Sequence, residues 1–321
     1  MIITVTLNAA IDKTLSVPNF RLGRRHRTVE QATMAGGKGV NVARTLKSLN
    51  QPVIATGFAG GPTGTRIVEQ LTGESILNDF VRIREESRTN TSVLDPTTGE
   101  QTEINERGPA ISAKELELFR DKLIYLAQGA DIVVMAGSLP RGVGSDYYAE
   151  LVRELRKLDV TTIVDSDGEP LRQAVRAEPT VISPNVNEAE ELVGHEFNDE
   201  ADMVHGVRMM GDLGSRESIM TTGDGCFACL RPTDGGHEPV LLRARIDRRE
   251  PVATVGSGDA FLAGFVAARY GGGTPEDCLR FGVACGAESI RRLGAGLIEP
   301  REVERLVGDV EVARVTEAAP A

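Results

Sequence analysis

The 321-residue sequence contains only four cysteines and four histidines, and its 36 Lys and Arg fall well short of its 47 Asp and Glu. Each shortage removes a class of function. So few cysteines in a chain of this length fit a reduced, cytoplasmic protein and cannot build a disulfide scaffold. His26, His195, His205 and His237 show no ligand spacing, and His195 and His205 read as surface residues. The formal net charge of −11 leaves no general basic surface for nucleic acid or an anionic membrane. An anionic small molecule stays open, because local charge decides that. No apolar run approaches the ~18 residues of a membrane span. Residues 1–8 have neither the basic nor the apolar region of a secretory signal.

What remains is ordinary for a globular protein: 40% hydrophobic and 26% charged residues. Length alone suggests two units of ~150 residues, and a chain of this size needs no metal or disulfide to fold. Glycine is enriched: 35 residues, about one in nine, against a usual ~7%.

Ile2-Ile3-Thr4-Val5-Thr6-Leu7 reads as a buried strand ended by Asn8. Residues 14–20 and 27–33 alternate like strands, 38–49 have helical spacing, and 53–58 form a buried strand. Residues 89–94 and 101–105 read as a hairpin around Asp95-Pro96-Thr97-Thr98-Gly99. From residue 114 the rhythm changes. Helical patterns at 115–128, 147–158 and 275–292 alternate with apolar runs at 131–136, 161–164, 180–182 and 218–222. Such alternation implies βαβ units and a parallel sheet. The polar hairpin segments break it and read as a small sheet inserted in two pieces. Residues 318–321 read as a frayed tail.

Three glycine clusters carry chemistry. In Val252-Ala253-Thr254-Val255-Gly256-Ser257-Gly258-Asp259, a strand is expected to run through glycines into an apolar helix. The N–H groups at such a helix start favour an anion. Asp259 reads either as a first-turn capping acid or as a base beside that anion hole, with Ser257 better placed as the cap. Gly36-Gly37-Lys38-Gly39-Val40-Asn41 lacks nucleotide P-loop spacing. Alone it reads as a glycine turn before a helix that carries Lys38 and Asn41 on one face. Thr222-Gly223-Asp224-Gly225 loosely matches a dinucleotide fingerprint, but the residues that follow alternate like a strand. A hairpin turn lying against a nucleotide fits better. Cys226 and Cys229, three apart in that strand, face opposite sides and make no metal or redox site; Cys278 and Cys285 read as helix core.

Asn185 and Glu188 follow the expected strand at 180–182, where open α/β sheets bind ligands. A neutral oxygen and a carboxylate suit hydrated Mg²⁺, whereas the neighbouring acids read as a solvated helix face. Arg21, Arg24, Arg25 and Arg27 form the one basic cluster, and Arg88 opens the second hairpin. They read as a charged strand edge or as a face for a phosphorylated small molecule.

Taken together, these segments resemble the PfkB (ribokinase-like) carbohydrate kinase family along nearly the whole chain. Thr254-Val255-Gly256-Ser257-Gly258-Asp259-Ala260-Phe261 is close to its D-T-x-G-A-G-D signature, and Ala35-Gly36-Gly37-Lys38-Gly39-Val40-Asn41-Val42-Ala43-Arg44 resembles its N-terminal one. Thr6-Leu7-Asn8-Ala9-Ala10-Ile11-Asp12 and Gly137-Ser138-Leu139-Pro140-Arg141-Gly142 look like motifs of the phosphohexose branch, which holds 1-phosphofructokinase, 6-phosphofructokinase and tagatose-6-phosphate kinase.

The resemblance implies a three-layer α/β/α body (residues 1–12, 34–87 and 107–321) with a mostly parallel sheet, and a discontinuous β lid (13–33 and 88–106). It also implies a homodimer through that lid. Asp259 would be the general base, with Gly256, Ser257 and Gly258 as the anion hole. Asp12, Gly37, Lys38 and Asn41 would hold the sugar hydroxyls; Arg25, Arg88 and Ser138 would hold the sugar's phosphate. Asn185 and Glu188 would organise Mg²⁺ through water, and Asn185, Thr222, Gly223 and Gly225 would border ATP.

Departures from the pattern are Ala9 for proline, Ser183 for the lysine of K-P-N, the Arg249-Glu250-Pro251 run-up, and a short loop at Gly223. The implied reaction is phosphorylation of a phosphorylated ketohexose. Lys38 favours fructose-1-phosphate, with tagatose-6-phosphate and then fructose-6-phosphate as alternatives. A non-catalytic sugar-phosphate sensor and a Rossmann oxidoreductase are the readings from other classes.

Overall fold

The computed structural model describes residues 1–232, 238–247 and 253–316. His237, Arg249-Glu250-Pro251, Val252 and the 318–321 tail lie outside the described residues. The strands are β1 (Ile2–Thr6), β2 (Ala10–Ser16), β3 (Glu30–Gly36), β4 (Val53–Gly60), β5 (Leu77–Ile83), β6 (Arg88–Leu94), β7 (Gln101–Asn105), β8 (Ile132–Ala136), β9 (Thr161–Asp165), β10 (Val181–Ile182), β11 (Glu217–Thr222), β12 (Gly225–Leu230), β13 (Val240–Arg245) and β14 (Glu311–Arg314). The helices are α1 (Lys38–Ser48), α2 (Gly61–Gly73), α3 (Ala113–Ala127), α4 (Tyr147–Arg156), α5 (Gly168–Val175), α6 (Val186–Val193), α7 (Glu200–Asp212), α8 (Ser257–Tyr270), α9 (Pro275–Ser289) and α10 (Pro300–Val307).

Ten strands form the main sheet in the order β14-β13-β12-β11-β10-β9-β8-β1-β4-β5. From β11 to β5 the neighbours run parallel; β12, β13 and β14 add an antiparallel edge. The central strands are buried on both faces, as their unbroken apolar runs require. Alternate residues feed two cores. Ile2, Val134, Ile163 and Ile219 join Val40, Phe265, Val283 and Leu306 on one face. Ile3, Val133, Val164 and Met220 join Phe119, Leu151, Ala174 and Val207 on the other. The expected layered body with a large, mostly parallel sheet is therefore present.

A separate four-stranded sheet has the order β3-β2-β6-β7, with β2 and β6 parallel and both outer pairs antiparallel. Its connections create the site. β1 ends at Thr6 and β2 starts at Ala10, while β3 ends at Gly36, just before α1 starts at Lys38. Residues 7–9 and 84–87 thus join strands of the two sheets, and Gly37 joins the small sheet to α1.

Several local expectations need correction. The strand expected at 14–20 lies earlier, at Ala10–Ser16, because it pairs with β6 through seven residues. Ala253, Thr254 and Val255 are not a strand; the chain turns there into α8. Ser257 does not cap that helix. The cap is Gly256 in the left-handed region, with no side-chain hydrogen bond, and Ser257 is the first helical residue. Cys226 and Cys229 do fall on opposite faces of β12, each in a different core. No group of three metal-ligating side chains occurs among the described residues.

Candidate active site

A cleft of about 780 Å³ opens between the small sheet and the carboxyl ends of the parallel strands. Thr6, Ala136 and Asp165 line it where β1, β8 and β9 end, and Lys38, Val186 and Ser257 line it where α1, α6 and α8 begin. Parallel topology alone brings these ends together, because each strand delivers its carboxyl end to the same edge.

At the base of the cleft, α1 begins after Gly37, whose φ is +101°. A Cβ there would come within 2.7 Å of Thr6 Cγ2, so both the backbone angle and the space require glycine. The turn that follows aims Lys38 into the cleft. Its Nζ donates to Asp165 Oδ1 at 2.7 Å and lies 3.5 Å from Glu188 Oε1. Burial pulls the Lys38 pKa down, but Asp165, Glu188 and Asp259 together lift it above the usual lysine range. One turn further, Asn41 Nδ2 donates to Asp259 Oδ2 at 2.8 Å.

Asp259 is 6% exposed, in the first turn of α8, a helix apolar on nearly all sides. Burial, reinforced by the charge of Asp165, pushes its pKa up to about 7 against the pull of Lys38 and Asn41. In that first turn Ser257 N donates to the Thr254 carbonyl at 3.3 Å and Ala260 N to the Gly256 carbonyl at 2.9 Å. The N–H groups of Gly258 and Asp259 have no intrahelical acceptor, an arrangement that favours an anion next to the carboxylate. A Cβ at Gly256 would meet Ala295 Cβ at 2.5 Å, whereas one at Gly258 would meet nothing. Gly256 is thus fixed by close packing, and Gly258 keeps the helix start open.

On the small-sheet side, Asp12 accepts a hydrogen bond from Asn90 Nδ2 at 2.9 Å, and burial raises its pKa above the carboxylate norm. Arg88 donates through Nε to the Asn8 carbonyl and through Nη1 to the Glu106 carbonyl, both at 3.0 Å. Ser138 follows Gly137, whose carbonyl accepts from Tyr148 Oη at 2.9 Å. Asp12, Arg88 and Ser138 all line the cleft.

On the opposite side, Thr222 and Gly223 line the cleft in the β11–β12 turn, where Thr222 Oγ1 donates to Asp224 Oδ1 at 2.8 Å. Arg243 Nη2 holds the other oxygen of Asp224 at 2.8 Å. Asn185 and Glu188 form a reciprocal capping box on α6, with contacts of 3.0 and 2.8 Å. Even so, both line the cleft, and Glu188 Oε1 faces Lys38.

Most of the sequence-derived set therefore meets in one cleft: Asp12, Gly37, Lys38, Asn41, Arg88, Ser138, Asn185, Glu188, Thr222, Gly223, Gly256, Ser257, Gly258 and Asp259. Two residues do not. Gly225 is not a lining residue; a Cβ there would lie 2.0 Å from the Ala244 carbonyl oxygen, so strand packing dictates this glycine. Arg25 is exposed on the loop between β2 and β3 and does not line the cleft. Sequence reasoning missed Asp165, Asn90 and the role of Asn8. The one available signal for Asp165 was its position as the acid ending an apolar run at a strand's carboxyl end.

Residues 5–302 match the pfkB family carbohydrate kinase description. The chain is 35% identical to a 1-phosphofructokinase of Borreliella burgdorferi, over 97% of this chain and 98% of that one. It is 33% identical to a tagatose-6-phosphate kinase of Staphylococcus epidermidis, over 98% and 100%. A Thermotoga maritima structure described as a possible 1-phosphofructokinase superposes with a TM-score of 0.88 at 27% identity, covering 98% of this chain and 100% of that one. The chain belongs to the pfkB family of carbohydrate kinases and is a phosphotransferase.

Proposed function

We propose that the protein transfers the γ-phosphoryl group of ATP to the free terminal hydroxyl of a phosphorylated ketohexose, with fructose-1-phosphate as the favoured acceptor and fructose-1,6-bisphosphate as product. The observation that carries this reading is Asp259, buried at the start of α8, bonded to Asn41 and facing a cleft lined by Arg88 and Ser138. Asp259 takes the hydroxyl proton as the sugar oxygen forms its bond to the γ-phosphorus. The bond between that phosphorus and the bridging oxygen breaks, and ADP departs. Amides at the start of α8, at Gly256 and Gly258, receive charge on the transferring group; the Ser257 amide, expected from the sequence to join them, already donates to the Thr254 carbonyl at 3.3 Å. Positioning and charge neutralisation are what phosphoryl transfer demands.

Asp12, Gly37, Lys38 and Asn41 hold the sugar hydroxyls, Arg88 and Ser138 its phosphate, and Thr222 and Gly223 border the nucleotide beside Asn185. Glu188 and Asn185, which both line the cleft, would hold magnesium through water, since Mg²⁺ takes one or two carboxylates and keeps its waters. When bound, it neutralises phosphate charge. Tagatose-6-phosphate is the second acceptor, supported by the 33% identical staphylococcal relative.

The small sheet acts as a lid and, with exposed Leu22, Val29 and Ile104 nearby, pairs with a second copy. Arg25, exposed and outside the cleft of its own chain, is assigned to phosphate across such a pair. Four unpaired cysteines suit a cytoplasmic setting, and no helix among the described residues is long and apolar enough to cross a membrane. Arg88→Ala tests the phosphate assignment: KM should rise far more for fructose-1-phosphate than for fructose, and equal effects would overturn it.

A further inference from the structure

We infer that Asn8 is a positioning residue that sets the donor polarity of the sugar-phosphate subsite, an inference that rests on the phosphate roles proposed for Arg88 and Ser138. Asn8 is 4% exposed, at the joint between the two sheets. Its Nδ2 lies 3.3 Å from the Arg107 carbonyl oxygen and 3.2 Å from Ser138 Oγ. A carbonyl can only accept, so the amide group facing Arg107 must be the NH₂. One of its hydrogens goes to Arg107, and the other goes to Ser138 Oγ.

Ser138 Oγ is thereby committed as an acceptor toward the protein, and its single proton points to whatever enters the cleft. Meanwhile the backbone carbonyl of Asn8 accepts Arg88 Nε at 3.0 Å, a contact that persists whatever side chain stands at position 8. With Nη1 also donating to the Glu106 carbonyl, the guanidinium is held at two of its three nitrogens where Arg88 lines the cleft. The Asn8 side chain therefore turns the Ser138 proton toward the space that Arg88 also lines, a pairing of donors that suits an anion. The site is built to keep this orientation. A Cβ at Gly108, where φ is +85°, would lie 2.1 Å from Asn8 Oδ1, so glycine leaves room for the amide. That oxygen has no hydrogen-bond partner, a cost expected only where the other half of the amide is needed.

The experiment is the near-isosteric Asn8→Asp. A carboxylate cannot donate to Ser138 or Arg107; it accepts the Ser138 proton and turns it away from the cleft. KM for fructose-1-phosphate, or for tagatose-6-phosphate if that is the better acceptor, should rise at least tenfold. KM for ATP and the turnover of unphosphorylated fructose should stay within about twofold. Asn8→Ala, which removes the donor without adding charge, should give a smaller rise of the same selectivity; it carries the test alone if the aspartate variant does not fold. A uniform loss toward both sugars, or no change, overturns the inference. Ser138→Ala and Arg88→Ala run alongside. If they leave KM for the phosphorylated sugar unchanged, the phosphate subsite itself is wrong; if they raise it while the Asn8 variants do not, only the role of Asn8 fails.

Discussion

Asn41 Nδ2 donates to Asp259 Oδ2 at 2.8 Å, joining residues 218 positions apart and tying the start of α1 to the start of α8. Asn41 is itself oriented: Arg44 Nη1 donates to its Oδ1 at 3.3 Å, which leaves the amide nitrogen facing the carboxylate. Both glycine-led helix starts thus converge on one acid. As the proposed base, Asp259 should not be replaceable by its amide. Asp259→Asn should cut kcat by about 10²–10⁴-fold. Calorimetric titration should still find fructose-1-phosphate binding within a few-fold, because the sugar contacts lie on other residues.

The elevated pKa of Asp259 has a sign that can be checked. A general base works only when deprotonated, so kcat/KM should climb with pH through one ionisation near 7 and flatten above it. Removing the like charge with Asp165→Asn should move that midpoint down. A profile that is flat from pH 5.5 to 8.5 would exclude Asp259 as the ionising base.

Stability should run the other way. An ordinary aspartate ionises near ~3.9 in the unfolded chain, whereas buried Asp259 keeps its proton to about 7. Between these values the folded state binds more protons, so Asp259 destabilises the fold progressively as pH rises through that window. Asp259→Asn escapes this. Its melting temperature relative to the parent should be higher at pH 8 than at pH 5, as thermal unfolding at the two pH values would reveal.

Gly256 holds a φ of +85° with Ala295 packed against it. Gly256→Ala should cost about 1–3 kcal/mol in strain and displace the anion-hole amides. The expected outcome is a fall in kcat larger than any change in KM for either substrate, measured by steady-state kinetics on folded protein.

Sequence periodicity located most of the layered body, since buried strands such as β1 and β8 are unbroken apolar runs. It overlooked α2, where Gly61, Gly64 and Gly73 dilute the helical pattern and only Ile67 and Leu71 are large buried anchors. The glycine clusters flagged the site because glycine is needed where chain and ligand crowd together. That signal misled at Gly225, whose crowding is with Ala244 in the next strand. The roles of Asp165 and Asn8 could not be read for another reason: their partners, Lys38 and Ser138, are more than 120 residues away in sequence.

Outside the site, Arg269 and Glu217 form a two-point ion pair, with Nη2 to Oε1 at 2.9 Å and the Glu217 side chain 3% exposed. Arg269→Met would strand a buried carboxylate and should destabilise the fold by about 3 kcal/mol. Denaturant titration checks this, and kcat/KM of the folded fraction should not change.

The most direct measurement is a coupled ADP-release assay over fructose-1-phosphate, tagatose-6-phosphate, fructose-6-phosphate, fructose, ribose and adenosine. The highest kcat/KM should fall on a phosphorylated ketohexose, with fructose-1-phosphate first. Faster turnover of ribose, fructose or adenosine, or no ADP with any acceptor, would contradict it.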